Sequence, residues 1–548
     1  MYNRFLLILV FVLTLTSASK ARQRTLSEMQ AIASKAIAKG VAVQTRNEHS
    51  LQELYTTPML SMLGTPGGGF AIIARDDRYP AVLGYSTSKV DGQLTDGLIW
   101  WINAVNHAME SDVIAMQATT VLSSHSAFAK AVEPLLTSVW NQNNPYNYHC
   151  PSMATKGNYP TGCVATALSQ IMRYHKYPKK GQGTYTYVFR PSDGTAYQLT
   201  ANFGETTYDW DNMLDSYKSG YTDAQREAVA ILMSHIGISV QMAYNPSGSG
   251  AYSVEAANAL RNYFRYNENV RLYRRDFYSA QLWMQMLYNE LNRQRPVYYT
   301  GVDPTNGGHA FVIDGYDEQG LVHVNWGWGG SNDGYYDIAL LNPSSEKFSE
   351  GQEMVTNICR PEVTTDFESQ LASTGLNINF YGSGTIRLTM SAKVYDVGAD
   401  KFDGRVAAIL QSSDTTIVAK VQENVVLSPA SLGFMKAADI SLRGMEISDI
   451  PDGTYRVYMG ARSQKDDKWQ LVRTYEGMRN SYLLVKSGSE YTTTETTDDM
   501  WMTTDLPYTT DKRSSKTHIY DLQGKQHGKA PNALPHGIYI IDGRKVVK

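Results

Sequence analysis

Cysteine is scarce in this chain. Only Cys150, Cys163 and Cys359 occur among 548 residues. A disulfide-stapled scaffold uses many cysteines in pairs, so that class is excluded. Three thiols form one pair at most, which leaves at least one free. No CxxC or HxxxH spacing backs a metal site built from His149, Cys150 and Cys163, and neither metal nor cofactor is expected. Charge of one sign is lacking too. Lys plus Arg number 50 against 53 Asp plus Glu, a formal charge of −3 with no long basic run. Nucleic acid is therefore not an expected partner. Beyond the N-terminus no stretch reaches ~18 apolar residues, so no integral membrane segment is expected in the mature protein. A disordered composition is excluded as well, since 42% of residues are hydrophobic and 19% charged.

What is present divides into several blocks, as ~150 residues per domain would suggest for this length. Residues 1–21, MYNRFLLILVFVLTLTSASKA, place Arg4 before an apolar run from Phe5 to Leu15 and then small residues. That is the pattern of a cleaved secretory signal, and it predicts export. Residues 22–130 read as a small α+β unit: a helical stretch, two strands in GGGFAIIARDDRYPAVLGYS, and a second helical stretch from LIWWINAV. VLSSHSAFAKAVEPL, residues 121–135, reads as linker and cleavage zone. Residues 131–362 are expected to place helices first (163–177, 222–239, 253–265, 279–293) and antiparallel strands after (296–301, 309–316, 321–326, 335–340), an α+β layout. Short alternating runs over 363–505 predict a β-sandwich, immunoglobulin-like in spacing. Residues 513–548 form a short β unit with a DGRK hairpin turn.

The chemistry begins at Cys163. After Gly162, residues Val164, Ala167, Leu168, Ile171, Met172 and His175 repeat at helical spacing. Cys163 therefore sits at a helix N-terminus, where unpaired N–H groups and the helix dipole favour the thiolate. A buried structural cysteine is the ordinary alternative for that segment alone. A thiolate nucleophile needs a base and a group that orients the base. Among 11 histidines, His309 stands out in GGHAFVIDGYDEQGLVHVNWGWGG. The glycines before it admit a substrate backbone. The returning strand of that hairpin carries Asn325 and Trp326 near His309. Asn325 is the candidate to accept from the ring N–H, with Trp326 shielding that contact. Trp328 has no assigned chemistry. Gln142, upstream of Cys163 in VWNQNNPYNYHCP, is the candidate side-chain donor to an oxyanion, together with the Cys163 N–H. His149, His175 and His323 read as structural or solvated. Asp314 is expected to point away from the His309 face. Whether Cys150 and Cys359 pair is left open.

The motifs WNQNNPYN, TGCVATALSQIMRYHKYP, RPVYYTGV, GGHAFVIDGYD and VNWGWGGSNDGYY, in this order, closely resemble the streptopain family of secreted bacterial cysteine peptidases. The resemblance extends over the 131–362 block. It implies a papain-like fold, endopeptidase activity and synthesis as a zymogen. The Cys163 to His309 separation also agrees with a papain-like nucleophile whose base lies ~130–150 residues downstream. By motif, Cys163 is the nucleophile, His309 the base, Gln142 the oxyanion donor and Asn325 the orienting residue, with Trp326 beside it. NPSGSGAYSVEAANAL resembles the substrate-pocket loop, which makes Ser253 and Gly308 candidates for substrate backbone contacts, with Ser249 the rival of Ser253. Residues 22–130 then become an inhibitory prosegment, an intramolecular partner of the site. IYDLQGK and LPHGIYIIDGRKVVK resemble C-terminal sorting domains of type IX secretion substrates, which implies a secretion-machinery partner, outer-membrane export and a secreted or surface-attached product. Two other readings use the same residues. One is a different thiol acyl transfer, amidase or transglutaminase-like. The other is a catalytically idle binding or inhibitor protein.

Overall fold

The computed structural model describes residues 22–39, 51–89, 94–110, 131–153, 157–191, 194–303, 307–339, 351–382, 385–429 and 436–497, with short strands near the C-terminus. The signal sequence and the 121–130 part of the cleavage zone lie outside the described residues. The chain forms two units, residues 1–499 and 500–548. Among the described residues no helix is long and apolar enough to cross a membrane.

In the N-terminal segment, helix α1 (Leu26–Lys39) covers a four-stranded meander: β1 (Gln52–Thr56), β2 (Leu60–Gly64), β3 (Phe70–Ala74) and β4 (Val82–Ser86). The two expected strands are β3 and β4, and β1 and β2 extend them. Met29, Ala33 and Ala36 of α1 recur at helical spacing and bury against Leu63, Ala71 and Ile73. Helix α2 (Asp96–Glu110) follows. Its Leu98, Trp100, Trp101, Ile102 and Val105 are buried, more than one helical stripe, because both sides of the helix are covered.

The central segment opens on helix α3 (Cys163–His175). Gly162 precedes it at φ 90°, a conformation that suits glycine. A Cβ there would also lie 2.8 Å from Met242 Sδ and the Ser249 carbonyl. Lys176 closes the helix in the left-handed region at φ 46°, and Pro178 prevents its return. Helix α4 (Asp223–Ser239) starts on a reciprocal cap: Thr222 accepts from the Gln225 N–H while the Gln225 side chain accepts from the Thr222 N–H. Helices α5 (Ser253–Asn262) and α6 (Ala280–Asn292) follow. The strands that join the main sheet are β5 (Arg271–Arg274), β6 (Val297–Asp303), β7 (Gly307–Tyr316), β8 (Val322–Asn325), β9 (Gly334–Tyr336) and β10 (Glu353–Thr356). A separate hairpin, Thr184–Phe189 with Tyr197–Asn202, lies between α3 and α4, and β5 precedes α6, so the helices do not all come first as expected. The helices begin within a residue of their expected starts. Strand β7 starts two residues earlier than expected because it pairs with β6 through Asp303 opposite Gly307.

One ten-stranded sheet spans both segments, in the order β1-β2-β3-β4-β9-β8-β7-β6-β10-β5. The joint is antiparallel, with Tyr335 opposite Tyr85 and Tyr336 opposite Gly84. Gly84 permits that approach, since a Cβ there would meet the Tyr336 ring at 2.7 Å. Helix α3 packs on the face of β6 and β7 that presents Tyr298, Ala310 and Val312, in a core shared with α4 and α5.

Residues 371–496 form two further sheets around one apolar core. Strand Arg387–Asp396 alternates exposed and buried residues along its length, the period-2 pattern of a sheet with one face inward. This block docks on the β5 edge. Arg271 and Arg261 both pair with Asp400, at 2.7 and 2.8 Å. Arg275, fully buried, lies 2.8 Å from Glu476, and Tyr475 stacks on Phe277. The second unit contains a four-stranded antiparallel sheet of strands 519–521, 526–527, 538–541 and 544–547.

Candidate active site

Cys163 is the first residue of α3 and is half-buried. Strand β7 brings His309 over it, at a register where His309 faces Gly301 of β6. The thiol and the imidazole are close enough that each shifts the titration of the other. Burial disfavours the thiolate. The His309 partner and its charge, with N–H groups of Ala310 and Val164, outweigh that and hold Cys163 below the ordinary thiol range. Burial likewise disfavours the imidazolium. Cys163, the Trp326 carbonyl and Asp96 reverse the sign and raise His309 above the ordinary histidine range.

The group that orients the base is not the one expected. His309 Nε2–H donates to the backbone carbonyl of Trp326 at 2.9 Å. A carbonyl only accepts, so Nε2 carries the proton and Nδ1 faces the thiol. The Asn325 side chain points elsewhere. Its Oδ1 accepts from Gln170 Nε2 at 2.9 Å and from the Gly327 N–H at 3.1 Å. Its Nδ2 donates to the Ser138 carbonyl at 2.9 Å and to Gln170 Oε1 at 3.3 Å. All of its capacity is spent inside the core. The direct Asn325–His309 bond is thus corrected to a bond with the next residue's backbone. Trp326 correspondingly contributes a carbonyl rather than a shield over an Asn–His contact. Its ring packs on Phe311 and Tyr336. Trp328, without a role in the sequence reading, stacks on His309 at 6.1 Å and 14°.

Gln142 is buried, and its carbonyl accepts the Thr161 N–H at 2.9 Å, two residues before the nucleophile. The fold therefore brings Gln142 to the Cys163 end of the site. Ser253, at the start of α5, is buried with its hydroxyl 3.4 Å from that of Thr300 on β6. Its rival Ser249 instead donates to the Pro160 carbonyl at 2.7 Å. Gly308 is exposed beside His309, and a Cβ there would meet only the Gly301 carbonyl and Val302 at 3.5 Å. Cys150 and Cys359 are free and buried, pushed up by burial to about 12 and about 11. Cys163 is thus the one thiol of the three that its surroundings favour as the anion. His175 bonds the Tyr266 hydroxyl at 3.1 Å and is pushed down to about 4 by burial. His149 pairs with Glu227, and His323 with buried Asp314.

Helix α2 covers this site. Gly97 lies so close that a Cβ would sit 2.5 Å from the Trp326 ring and 2.7 Å from His309 Cδ2. Trp100 fills the space over Gly301, where a Cβ would lie 1.8 Å from its ring. Asn332 Oδ1 accepts from the Thr95 N–H at 3.0 Å, and Trp101 Nε1–H donates to the Asp337 carbonyl at 3.3 Å.

A thiol beside an imidazole, on a helix start facing an antiparallel sheet, is the arrangement of a thiol acyl-transfer enzyme, the class to which cysteine peptidases belong. The Peptidase C10 family profile matches residues 140–336. Streptopain of Streptococcus pyogenes is 38% identical over 299 residues, which span 51% of this chain and 73% of that protein. The thiol protease/hemagglutinin PrtT of Porphyromonas gingivalis is 35% identical over 292 residues, 50% of this chain and 33% of that one. A solved fragment of prointerpain A from Prevotella intermedia, bearing a cysteine-to-alanine mutation, is 38% identical. It covers 56% of this chain and 98% of its own, with a TM-score of 0.50. The chain belongs to the streptopain family, Peptidase C10. It is a cysteine-type endopeptidase made as a zymogen.

Proposed function

We propose that Cys163 and His309 carry out the peptidase reaction as a thiolate–imidazolium pair. The single observation behind this is the bond of His309 Nε2–H to the Trp326 carbonyl, which leaves the other ring nitrogen to the neighbouring thiol. The sulfur attacks a peptide carbonyl carbon and a C–S bond forms. The Gln142 amide and the Cys163 N–H receive the oxyanion, a contribution worth ~10²–10³ in rate for a side-chain donor. The Nδ1 proton passes to the departing amine as the C–N bond breaks. Water then attacks the thioester with Nδ1 as base, releasing the acid and restoring the pair. Ser253 and Gly308 contact the substrate backbone at the two sides of the cleft. Protein or peptide substrates fit this arrangement, since a glycine flank beside the base admits extended chain.

Residues 22–130 act as the inhibitory prosegment. Support comes from α2, whose Gly97 rests on His309 and Trp326 where substrate must enter. Cleavage within 121–135 would release it, by the enzyme itself. The block at 363–505 serves as an immunoglobulin-like accessory domain. The N-terminal signal and the 513–548 sorting domain direct export across both membranes to a secreted or surface-attached state.

The test compares the purified precursor with its Cys163→Ala variant on casein, with and without a thiol-specific inhibitor. Inhibitable cleavage by the first and none by the second supports the reading, as does a stable, unprocessed precursor of the variant. Cleavage by Cys163→Ala would overturn the assignment of the nucleophile. Normal processing of that variant in pure form would overturn self-cleavage alone. Mass spectrometry of the recovered protein fixes both ends and so tests the signal, prosegment and tail.

A further inference from the structure

Helix α3 buries a side-chain amide in its apolar surroundings. Gln170 lies two turns after Cys163 and is fully buried. A buried amide with no purpose would be costly where leucine fits. Both the oxygen and the nitrogen of the Gln170 amide are bonded instead, and its partners come from two separate segments. Its Oε1 accepts the Trp140 N–H at 3.0 Å and the Ser138 hydroxyl at 3.2 Å. These residues lead into Gln142. Its Nε2 donates to Asn325 Oδ1 at 2.9 Å.

Asn325 passes the contact on. The same Oδ1 accepts the Gly327 N–H at 3.1 Å. That N–H belongs to the peptide group whose other end is the Trp326 carbonyl, the acceptor of His309 Nε2–H. One peptide unit is therefore held from behind by Asn325 and holds His309 in front. Hydrogen bonding at its N–H makes its carbonyl a better acceptor, because linked bonds polarise one another.

We propose that Gln170 is a positioning residue that fixes the nucleophile helix, the Gln142 segment and the Trp326–Gly327 peptide in one register, acting on His309 through Asn325. The inference rests on the assignment of Cys163 and His309 above. It accounts for the buried Asn325 amide that does not reach the base, and it gives that amide an indirect part in the same task.

The test uses full-length Gln170→Met and Gln170→Glu, matured by added native enzyme and normalised by active-site titration. Normalisation removes unfolded protein from the comparison. The methionine variant keeps length and apolar volume and loses every hydrogen bond of the amide. Misplacement of reacting groups by about 1 Å costs on the order of 10²-fold. The expected result is a roughly 10- to 100-fold fall in kcat, KM within about twofold, and an alkaline limb of the pH profile displaced downward as the imidazolium loses support. The glutamate variant keeps the acceptor for Trp140 and Ser138 and should recover part of kcat. A purely structural amide would lower stability and leave titrated kcat and both pH limbs at native values, which overturns the proposal. Should Gln170→Met not fold, Gln170→Glu decides alone, and native kcat and limbs there overturn it. Activity retained by Cys163→Ala would instead sink the underlying site assignment.

Discussion

His309 gives its Nε2 proton to the backbone carbonyl of Trp326 at 2.9 Å, and its other ring nitrogen faces the Cys163 thiol. The tautomer is thus set by main chain, which no side-chain substitution removes directly. The pair shifts both titrations in the direction that widens the ion-pair window: the thiol downward, the imidazole upward.

The pH profile follows from those directions. Activity should rise as the thiolate forms, at a pH below the ordinary thiol range near 8.5, and fall only above the ordinary histidine value near 6.5. His309→Ala removes the partner, so alkylation of Cys163 by iodoacetamide should then require the pH of an ordinary or buried thiol. Turnover should fall by on the order of 10⁴-fold or more. Alkylation at low pH that persists unchanged in His309→Ala would refute the pair.

Gly97 sets how closely α2 seats on Trp326 and His309. Any side chain there meets two buried rings, with a Cβ at 2.5 Å from Trp326 and 2.7 Å from His309. Overpacking of this kind costs about 1–3 kcal/mol, which is roughly 5- to 100-fold in the docking equilibrium. The Gly97→Val precursor should therefore label faster at Cys163 with a fluorescent thiol reagent, and should process sooner. Labelling at the native rate would show that α2 does not guard the thiol.

Much of this site is legible in the sequence, and the misreadings have identifiable causes. Cys163 and His309 advertise themselves through a glycine-led helix start and a glycine-led strand. Asn325 reads correctly onto the strand that returns beside His309. Strand spacing does not say whether a side chain or the following carbonyl reaches the ring. Gln170 is invisible because it sits within a stretch that reads as ordinary apolar packing, and its partners, Trp140 and Asn325, are distant in sequence. The joining of β4 to β9 is equally hidden, since pairing between strands so far apart along the chain depends on shape rather than on either local pattern.

Behind Trp326 lies a buried carboxyl with a stability signature. Asp333 accepts the Trp326 N–H at 2.9 Å. Burial pushes it up to about 7, with Asp314 adding to the rise, against that hydrogen bond and the His323 and Lys218 charges, which lower it. An unfolded aspartate titrates near 3.9. Between about pH 4 and 7 the folded chain therefore holds a proton that the unfolded chain has released. Stability should fall as pH rises through that window and level off above it. In the Cys163→Ala background, which prevents self-digestion, Asp333→Asn should flatten this part of the Tm-versus-pH curve. An identical slope in both proteins would contradict the assignment.

The accessory block is expected to stabilise the peptidase sheet rather than trail from it. Arg275, adjoining β5, is fully buried and lies 2.8 Å from Glu476. Glu476 also accepts the N–H of Ala280, the first residue of α6, at 3.0 Å. Removing the carboxylate partner of a buried guanidinium is destabilising, by up to about 3–5 kcal/mol, whereas replacing both members with apolar residues is often near neutral. Glu476→Ala in the Cys163→Ala precursor should therefore lower the unfolding free energy, read from a urea titration, by that amount. Arg275→Leu combined with Glu476→Leu should recover at least half of it. Strand β5 pairs with β10 and β10 with β6, where Tyr298 and Thr300 lie beneath the cleft, so the loss at this joint reaches the strand that faces His309. If Glu476→Ala were no more costly than an ordinary surface substitution, the block would be held by other contacts, and the cleft would not depend on this pair.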